Sequence, residues 1–331
     1  MRRLFAVVPF VTLLLSPLPA VARRHATPAP SPVPTATPTP APSPTPALSP
    51  SERDERLREA LTAIARAAPG RLGVTVIDLA RDERVSVHGD DAFPLAGTVN
   101  LAVALVAFRR ADQHHFRLDD LQLVTGADLR GQASAIARAH PRGNVWLTNA
   151  ALVRGMLVDG DSTAVDVLLH ELGGPEAVQR VLVHLGLRGF HIRRSEAELA
   201  SDARAHRTFA RGGDNAGTPN GIAELLTGIV QKQYAGLDAT TEFVTLLSQV
   251  PDATAPLTAG LPPGTPFAHQ TGTSNTLDGA TDATNDAGFV TLQDGRRLVI
   301  VALLSDSHAR ESERDATLAR VADAAYRAFV P

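Results

Sequence analysis

Several residue types are scarce or missing in this chain of 331 residues, and each absence narrows its chemistry. There is no cysteine, which excludes a disulfide, a thiol nucleophile, a Cys-ligated metal and a lipid-modified cysteine. Lysine occurs only once, and aromatic residues make up 4% of the chain. The formal net charge of −3 gives no electrostatic reason to expect a nucleic acid partner or an anionic membrane surface.

The first 50 residues are predicted to precede the folded domain. Residues 1–22 carry two arginines, a short apolar run interrupted by proline, and an Ala-x-Ala cleavage site, which together predict a signal peptide. An uncleaved anchor is the alternative. Residues 23–50 form a Pro-rich linker that is predicted to be extended and without a core, acting either as a tether or as a passive connection.

We therefore expect an exported protein, located in the periplasm or in the extracellular part of the cell envelope. After signal cleavage no stable membrane span is expected, because the apolar run is too short for one.

Residues 51–331 are predicted to form one domain. Ser49, Pro50 and Glu52 make a capping box that opens the first helix, and a hairpin follows in RLGVTVIDLARDERVSVHG. Further helices are predicted around residues 147–157, 163–172, 175–185, 219–233, 240–250 and 311–329. Strands are predicted in FAHQTGT, DAGFVTLQ and RRLVIVALLS.

These strands lie only near the two ends of the domain. Neither a two-stranded hairpin nor a three-stranded meander is stable alone, so both sets are predicted to join in one antiparallel sheet of about five strands. The fold class is thus α/β, of the α+β type. The terminal helices flank the sheet, and an all-helical lobe, residues about 98–250, forms a cleft against it.

Five segments of the domain carry a resemblance to a known protein family. They are FPLAGTVN, RLDDLQLV, LVDGDSTAVDVLLHELGGPEAV, RRSEAEL, and AHQTGTS with the strands after it. In order, spacing and flanks they resemble class A β-lactamases and their penicillin-binding relatives, a serine hydrolase family marked by S-x-x-K, S-D-N and K-T-G. The resemblance covers residues from about 60 to 329 and implies a β-lactamase/transpeptidase-like fold.

At the family's catalytic positions this chain carries other residue types. Gly97 stands where the resemblance places the nucleophilic serine, and Asn100 where it places the lysine base. Gly160 replaces the proton-shuttling serine of S-D-N, and Gln270 replaces the lysine of K-T-G. No serine lies three residues before the single lysine, so S-x-x-K occurs nowhere in the chain. The resemblance thus implies that the serine mechanism is absent.

Two residues are candidates for remaining catalysis. Glu196 matches the family's deacylating glutamate, and is either a base that acts through water or a carboxylate that structures its loop beside Arg194. Ser162 takes the place of the Asn in S-D-N and is predicted to face the cleft, where it could be a relocated nucleophile. Asp161 is predicted to cap the following helix. The residues expected at a ligand in the cleft are Asp161, Ser162, Thr271, Gly272 and Thr273.

The other polar and aromatic residues of note are given structural roles. His269 is predicted to be a satisfied strand residue, Trp146 a core residue, and Ser134 remote from the cleft. The pair His114-His115 offers too few ligands for a metal and is predicted to be a solvated loop. No metal and no cofactor are expected.

The leading hypothesis is an exported, catalytically inactive β-lactamase-like protein. Its partner would be a peptidoglycan fragment, a weakly and non-covalently bound β-lactam, or an envelope protein. The alternative is a hydrolase of β-lactams or other amides and esters with rerouted chemistry, using Ser162 or a water activated by Glu196. A structural interaction module with a vestigial cleft is the third hypothesis.

Overall fold

The computed structural model of the chain describes residues 49–131, 134–201, 214–251 and 255–330. The predicted signal peptide and nearly all of the Pro-rich linker lie outside these residues. The α-helices are α1 (Pro50–Arg66), α2 (Val99–Asp112), α3 (Ala135–Ala139), α4 (Asn149–Val158), α5 (Ser162–Glu171), α6 (Pro175–His184), α7 (Glu196–Ser201), α8 (Pro219–Val230), α9 (Leu237–Leu247) and α10 (Glu311–Phe329).

The strands form one large sheet and several small ones. They are β1 (Arg71–Asp78), β2 (Glu83–Val87), β3 (Phe93–Pro94), β4 (Leu121–Val124), β5 (Val145–Thr148), β6 (Phe190–His191), β7 (Ala216–Gly217), β8 (Phe267–Thr273), β9 (Thr276–Leu277), β10 (Ala280–Thr281), β11 (Thr284–Thr291) and β12 (Arg297–Ser305). The large sheet is antiparallel, with the order β2-β1-β12-β11-β8, so β8 lies at its edge. The predicted five-stranded sheet built from both ends of the domain is confirmed.

Both faces of the large sheet are covered, which explains why its central strands read as nearly continuous apolar runs. Side chains alternate between the faces. On one face Val76 and Ile300 pack with residues of α1 and α10, while on the other Ala287 and Val301 pack with the helical lobe. The predicted placement of the first and last helices on one face is therefore confirmed.

The N-terminal capping box is formed as predicted. The backbone N–H of Ser49 donates to Glu52 Oε2 at 3.0 Å, and the backbone N–H of Glu52 donates to Ser49 Oγ at 3.3 Å. These bonds satisfy donors that an uncapped helix end would leave open. The helix then buries Leu57 and Leu61 against the sheet.

Strands are not confined to the two ends of the domain, contrary to the prediction. Residues predicted to begin a helix form β5, which pairs with β4 and places Leu123 opposite Trp146. The segment VWLT is rich in residues that favour strands, and this outweighs its apolar spacing. Trp146 is 59% exposed and Leu123 42% exposed, so the predicted core position of Trp146 is wrong. A two-stranded ribbon has two faces, and one of them carries this pair outward.

Apart from β4 and β5 and the two-residue strands β6 and β7, the regular elements described between α2 and α9 are helices, and the predicted ones have boundaries within a few residues of those predicted. The helical lobe is centred on α2, whose residues from Val99 to Phe108 are all buried. Within the described ranges no helix is both long and apolar enough to cross a membrane.

Candidate functional site

A cleft of about 1130 Å³ lies between the edge strand β8 and the helical lobe. Its walls come from the turn before α2, the start of α5, the helix α7 and the strand β8. The structure brings together nine of the ten residues singled out from the sequence. The nine are Gly97, Asn100, Gly160, Ser162, Glu196, Gln270, Thr271, Gly272 and Thr273.

The turn that carries Gly97 is held in a strained conformation. Ala96 has φ of 44°, in the left-handed region that a residue with a side chain rarely adopts. The buried amide of Asn285 donates to Pro94 O at 2.7 Å and to Leu95 O at 3.0 Å. Such strain persists only where the surroundings fix the backbone, and Asn285 supplies part of that support from the neighbouring strand β11.

The edge strand β8 faces the start of α2 at very close range. A Cβ atom added at Gly97 would lie 2.6 Å from the carbonyl oxygen of Thr271. One added at Gly272 would lie 2.7 Å from the backbone nitrogens of both Gly97 and Thr98. These two glycines therefore allow the strand and the turn to come into backbone contact.

Asn100 and Gln270, at the two positions where the resemblance places lysine, are neutral carboxamides in the buried lining of the cleft, which is called its floor below. Asn100 is 2% exposed and Gln270 is 3% exposed. The Nδ2 of Asn100 donates to Met156 O at 3.0 Å, and the Nε2 of Gln270 donates to Thr271 O at 3.3 Å. The oxygens Asn100 Oδ1 and Gln270 Oε1 have no hydrogen-bond partner.

Asp161 does not line the cleft. Its carboxylate is fully buried and accepts a hydrogen bond from the backbone N–H of Ala164, so the predicted cap of α5 is confirmed. It also accepts from Ile136 N at 2.8 Å and from Ser134 Oγ at 2.8 and 3.0 Å. Its carboxylate is not exposed to the cleft, so the structure does not place Asp161 at a ligand as the sequence suggested. Ser134 is consequently not remote, because it supports this cap.

Glu196 sits beside two charged residues that the sequence analysis did not select. Asp166, on α5, accepts from Glu196 N at 2.7 Å and from Ala197 N at 2.9 Å. Arg130 Nε donates to the same carboxylate at 2.5 Å. Burial and the negative charge of Asp166 raise the pKa of Glu196 to about 7, while Arg130 acts in the opposite direction.

The sequence did contain a signal for Asp166, since it is a charged residue in the otherwise apolar stretch STAVDVLL. Arg194 was the expected partner of Glu196, but its guanidinium lies 3.6 Å from Asp214 instead. The loop at Glu196 is thus ordered through the backbone bonds to Asp166 rather than through a pair of side chains.

Asn215 is a further cleft residue that sequence reasoning missed. Its Oδ1 accepts from Arg193 N at 2.9 Å and from Arg194 N at 3.0 Å, and its backbone oxygen accepts from Leu95 N at 2.9 Å. Asn215 therefore ties the segment before Glu196 to the turn before Gly97.

Ser162 is the first residue of α5 and lines the cleft as predicted. Gly160, two residues earlier, has φ of 63°, and a Cβ added there would meet no atom within 4 Å. No histidine or lysine lies among the cleft-lining residues of the described ranges. Glu196, whose pKa is raised to about 7, is therefore the candidate base of the cleft.

The three histidines selected from the sequence have no place in the cleft lining. His269 is fully buried, with Nδ1 3.1 Å from Asp286 Oδ1 and its ring stacked on Phe267, but its Nε2 has no partner. It is thus only half satisfied. His114 and His115 are exposed after the end of α2, which confirms the solvated loop.

Comparison with known proteins gives consistent results for sequence and structure. The family model described as "Beta-lactamase enzyme family" matches residues 56–329. The extended-spectrum β-lactamase PER-1 of Pseudomonas aeruginosa is 27% identical over 280 residues, which cover 84% of this chain and 88% of that protein. The β-lactamase Toho-2 of Escherichia coli is 28% identical, covering 80% and 87%.

The solved structure of a β-lactamase from Chitinophaga pinensis matches with a TM-score of 0.77 and 27% sequence identity. The match covers 83% of this chain and 99% of that one. Together with the sheet order and the cleft at the start of α2, these matches assign the family: the chain belongs to the β-lactamase enzyme family, among the class A enzymes and their penicillin-binding relatives.

Proposed function

We propose that this protein is an exported member of the family that binds a ligand in its cleft and forms no acyl-enzyme. The observation that carries the proposal is Gly97 at the position of the nucleophile. A glycine has no side chain to acylate, and the lysine base of the family is replaced by Asn100.

The expected loss of turnover is large enough to favour an inactive protein over one with reduced activity. Removing the serine nucleophile of a well-studied hydrolase costs about 10⁶ in turnover, and what is left comes from binding and oxyanion stabilisation. In this chain the nucleophile, the base, the shuttling serine and the lysine of K-T-G are all replaced. Turnover by the family's route is therefore negligible.

Binding is supported by what the cleft retains. Its volume of about 1130 Å³ suits a peptide-sized or drug-sized ligand, and the hydroxyls of Ser162, Thr271 and Thr273 are part of its lining. A peptidoglycan fragment is the ligand class that the family resemblance suggests. The signal-like segment at the N-terminus supports a location where such a ligand occurs.

The test of lost acylation uses a fluorescent penicillin followed by denaturing electrophoresis. Because Gly97 cannot be acylated, we expect no labelled band under conditions that label an active class A β-lactamase run alongside. Circular dichroism before labelling verifies that the sample is folded. A stable adduct that peptide mapping places within residues 91–100 would overturn the proposal.

A second candidate function is hydrolysis by a water that Glu196 activates directly. The observation that favours it is the pKa of about 7, which suits a general base at neutral pH. The test is hydrolysis of a chromogenic cephalosporin by the unaltered protein and by the Glu196→Gln variant. Hydrolysis that this substitution abolishes would replace the inactive-protein proposal. We expect no difference between either protein and buffer.

A further inference from the structure

We infer that the cleft recognises a primary ammonium group of its ligand through the oxygens Asn100 Oδ1 and Gln270 Oε1. The inference rests on the proposed ligand-binding function and specifies which end of the ligand is recognised. At these two positions the family resemblance places lysine side chains, which donate hydrogen bonds. This chain instead has amide oxygens there, which accept them.

Asn100 Oδ1 and Gln270 Oε1 are both buried hydrogen-bond acceptors without a donor. Asn100 and Gln270 line the cleft and are each at least nine-tenths buried, and neither oxygen has a hydrogen-bond partner. Buried polar atoms are nearly always hydrogen-bonded, and each exception costs free energy that a suitable ligand recovers. Two such exceptions in one cleft floor point to a ligand that donates.

Neither side-chain amide can be turned over to put its nitrogen where the unpartnered oxygen lies. Turning the amide of Asn100 over would place its oxygen against the carbonyl oxygen of Met156, which its Nδ2 now reaches at 3.0 Å. The same exchange at Gln270 would bring its oxygen to Thr271 O. The orientation of each amide is thus set by a backbone acceptor, and each leaves an oxygen for another group.

Access to the two oxygens requires a movement of the protein. Neither oxygen touches solvent, so a ligand must move part of the floor to reach them. Asn100 is anchored, whereas Gln270 is held only by a bond of 3.3 Å, which is long for an N–H donor to oxygen. Asn100 therefore stays in place, and a movement of Gln270 is what admits the ligand to both oxygens.

The two oxygens favour a ligand group that donates hydrogen bonds. A carboxylate would place its own oxygens against those of the floor, whereas an alkyl ammonium offers three donors and no acceptor. The charged residues among the cleft-lining residues are Arg130, Arg138, Asp159 and Glu196. Arg130 is paired with Asp166, which lowers its attraction for an anion. The set comprises two basic and two acidic side chains and does not decide the matter, so the choice follows from the two amide oxygens: they accept hydrogen bonds, which a primary ammonium group donates and a carboxylate cannot.

The test compares two peptides that differ only at one amine. Nα-acetyl-L-lysyl-D-alanyl-D-alanine has a free ε-ammonium, and its Nα,Nε-diacetyl counterpart has none. Titration calorimetry with the full chain should give an affinity at least about tenfold higher for the free amine, because charge-assisted hydrogen bonds are about twice as strong as neutral ones.

The outcomes separate this inference from the proposed function. Equal affinities for the two peptides would overturn the ammonium site while leaving ligand binding in place. No heat and no amide shifts by NMR with either peptide at millimolar concentration would overturn peptide binding itself, and with it the ammonium site.

Variants then test the two oxygens. Gln270→Met and Asn100→Leu should reduce the preference for the free amine to less than about twofold, since each removes an acceptor. Gln270→Glu should increase that preference, which a merely structural role would not do. The matched control is Gln113→Met at an exposed position after α2, where the preference should be unchanged. An unchanged preference in all three cleft variants would overturn the assignment.

Discussion

The charge state of Glu196 depends on its burial and on two neighbouring residues. Arg194, in the same segment, lies 3.6 Å from Asp214. Asp166 and Arg130, which come from α5 and from the segment before α3, act on Glu196 in opposite directions. Burial and Asp166 together outweigh Arg130, and the carboxyl group therefore takes up a proton near neutral pH.

This predicts a loss of stability as the pH rises. The pKa of Glu196 is about 7 in the folded protein and 4.5 in its ordinary state, so folding favours the protonated form. Its contribution to the free energy of unfolding is fully present below pH 4.5 and is lost as the pH rises toward 7. The loss should be at most about 3 kcal/mol. Denaturant unfolding at several pH values measures it.

The control for this prediction is Glu196→Gln, which cannot ionise. Other carboxyl groups titrate in the same range, but they contribute equally to both proteins and disappear from the difference. The unaltered protein should lose stability relative to the variant between pH 4.5 and 7. Parallel stability curves for the two proteins would show that Glu196 has an ordinary pKa.

At the scale of elements, the contact between β8 and the turn before α2 determines the shape of the cleft. The backbone of the strand contacts the backbone of the turn. Only glycine at positions 97 and 272 allows this contact, because a Cβ atom at either Gly97 or Gly272 would collide with backbone atoms. Asn285 fixes the turn from β11. The cleft wall is thus adapted to glycine at the position where the family has its nucleophile.

We therefore expect Gly97→Ala to destabilise the protein. The new Cβ would lie 2.6 Å from Thr271 O, which is backbone and cannot turn away. Insertion into a well-packed site costs about 1–3 kcal/mol, and thermal unfolding should show this as a lower Tm. For the same reason a serine at position 97 needs a shift of β8, so reinstating the family's serine and lysine should not by itself restore acylation.

The matched control is Gly155→Ala in α4. A Cβ there would meet Ala164 at 3.7 Å, an ordinary contact, and alanine is favoured over glycine in a helix by about 0.5–1 kcal/mol. Its Tm should stay the same or rise. If the two variants melt alike, the close approach at Gly97 is relieved without cost and the argument about the cleft wall is wrong.

At the scale of the whole molecule, the sheet depends on both ends of the domain. Helix α1 covers the outer face together with α10, and it buries Leu57 and Leu61 there. Losing a buried leucine costs about 2–5 kcal/mol, so losing two approaches the total stability of about 5–15 kcal/mol for a typical domain.

This predicts different outcomes for two truncated chains. A chain beginning at Ser49 keeps the capping box and α1, and its Tm should match that of the chain beginning after the predicted signal peptide. A chain beginning at Ala68 lacks α1 and should give no cooperative thermal transition. A cooperative transition of the shorter chain within a few degrees of the longer one would show that α1 contributes little to the sheet.

The sequence by itself determined the class of fold and most of the cleft. The capping box and the apolar spacing of the helices are local patterns, and local hydrogen bonding and burial decide them. Gly97, Asn100, Gly160 and Gln270 were likewise selected from the sequence, and the structure places all four in the lining of the cleft.

The tertiary structure alone decided how side chains are used once distant segments meet. Asp161 was expected at a ligand but lies in a buried cap, since Ser134 and Ile136 approach it from another segment. Trp146 was expected in the core but lies on a ribbon with an open face. Whether a polar group finds a partner depends on contacts between residues far apart in the chain. The raised pKa of Glu196 and the unpartnered oxygens of Asn100 and Gln270 follow from such contacts.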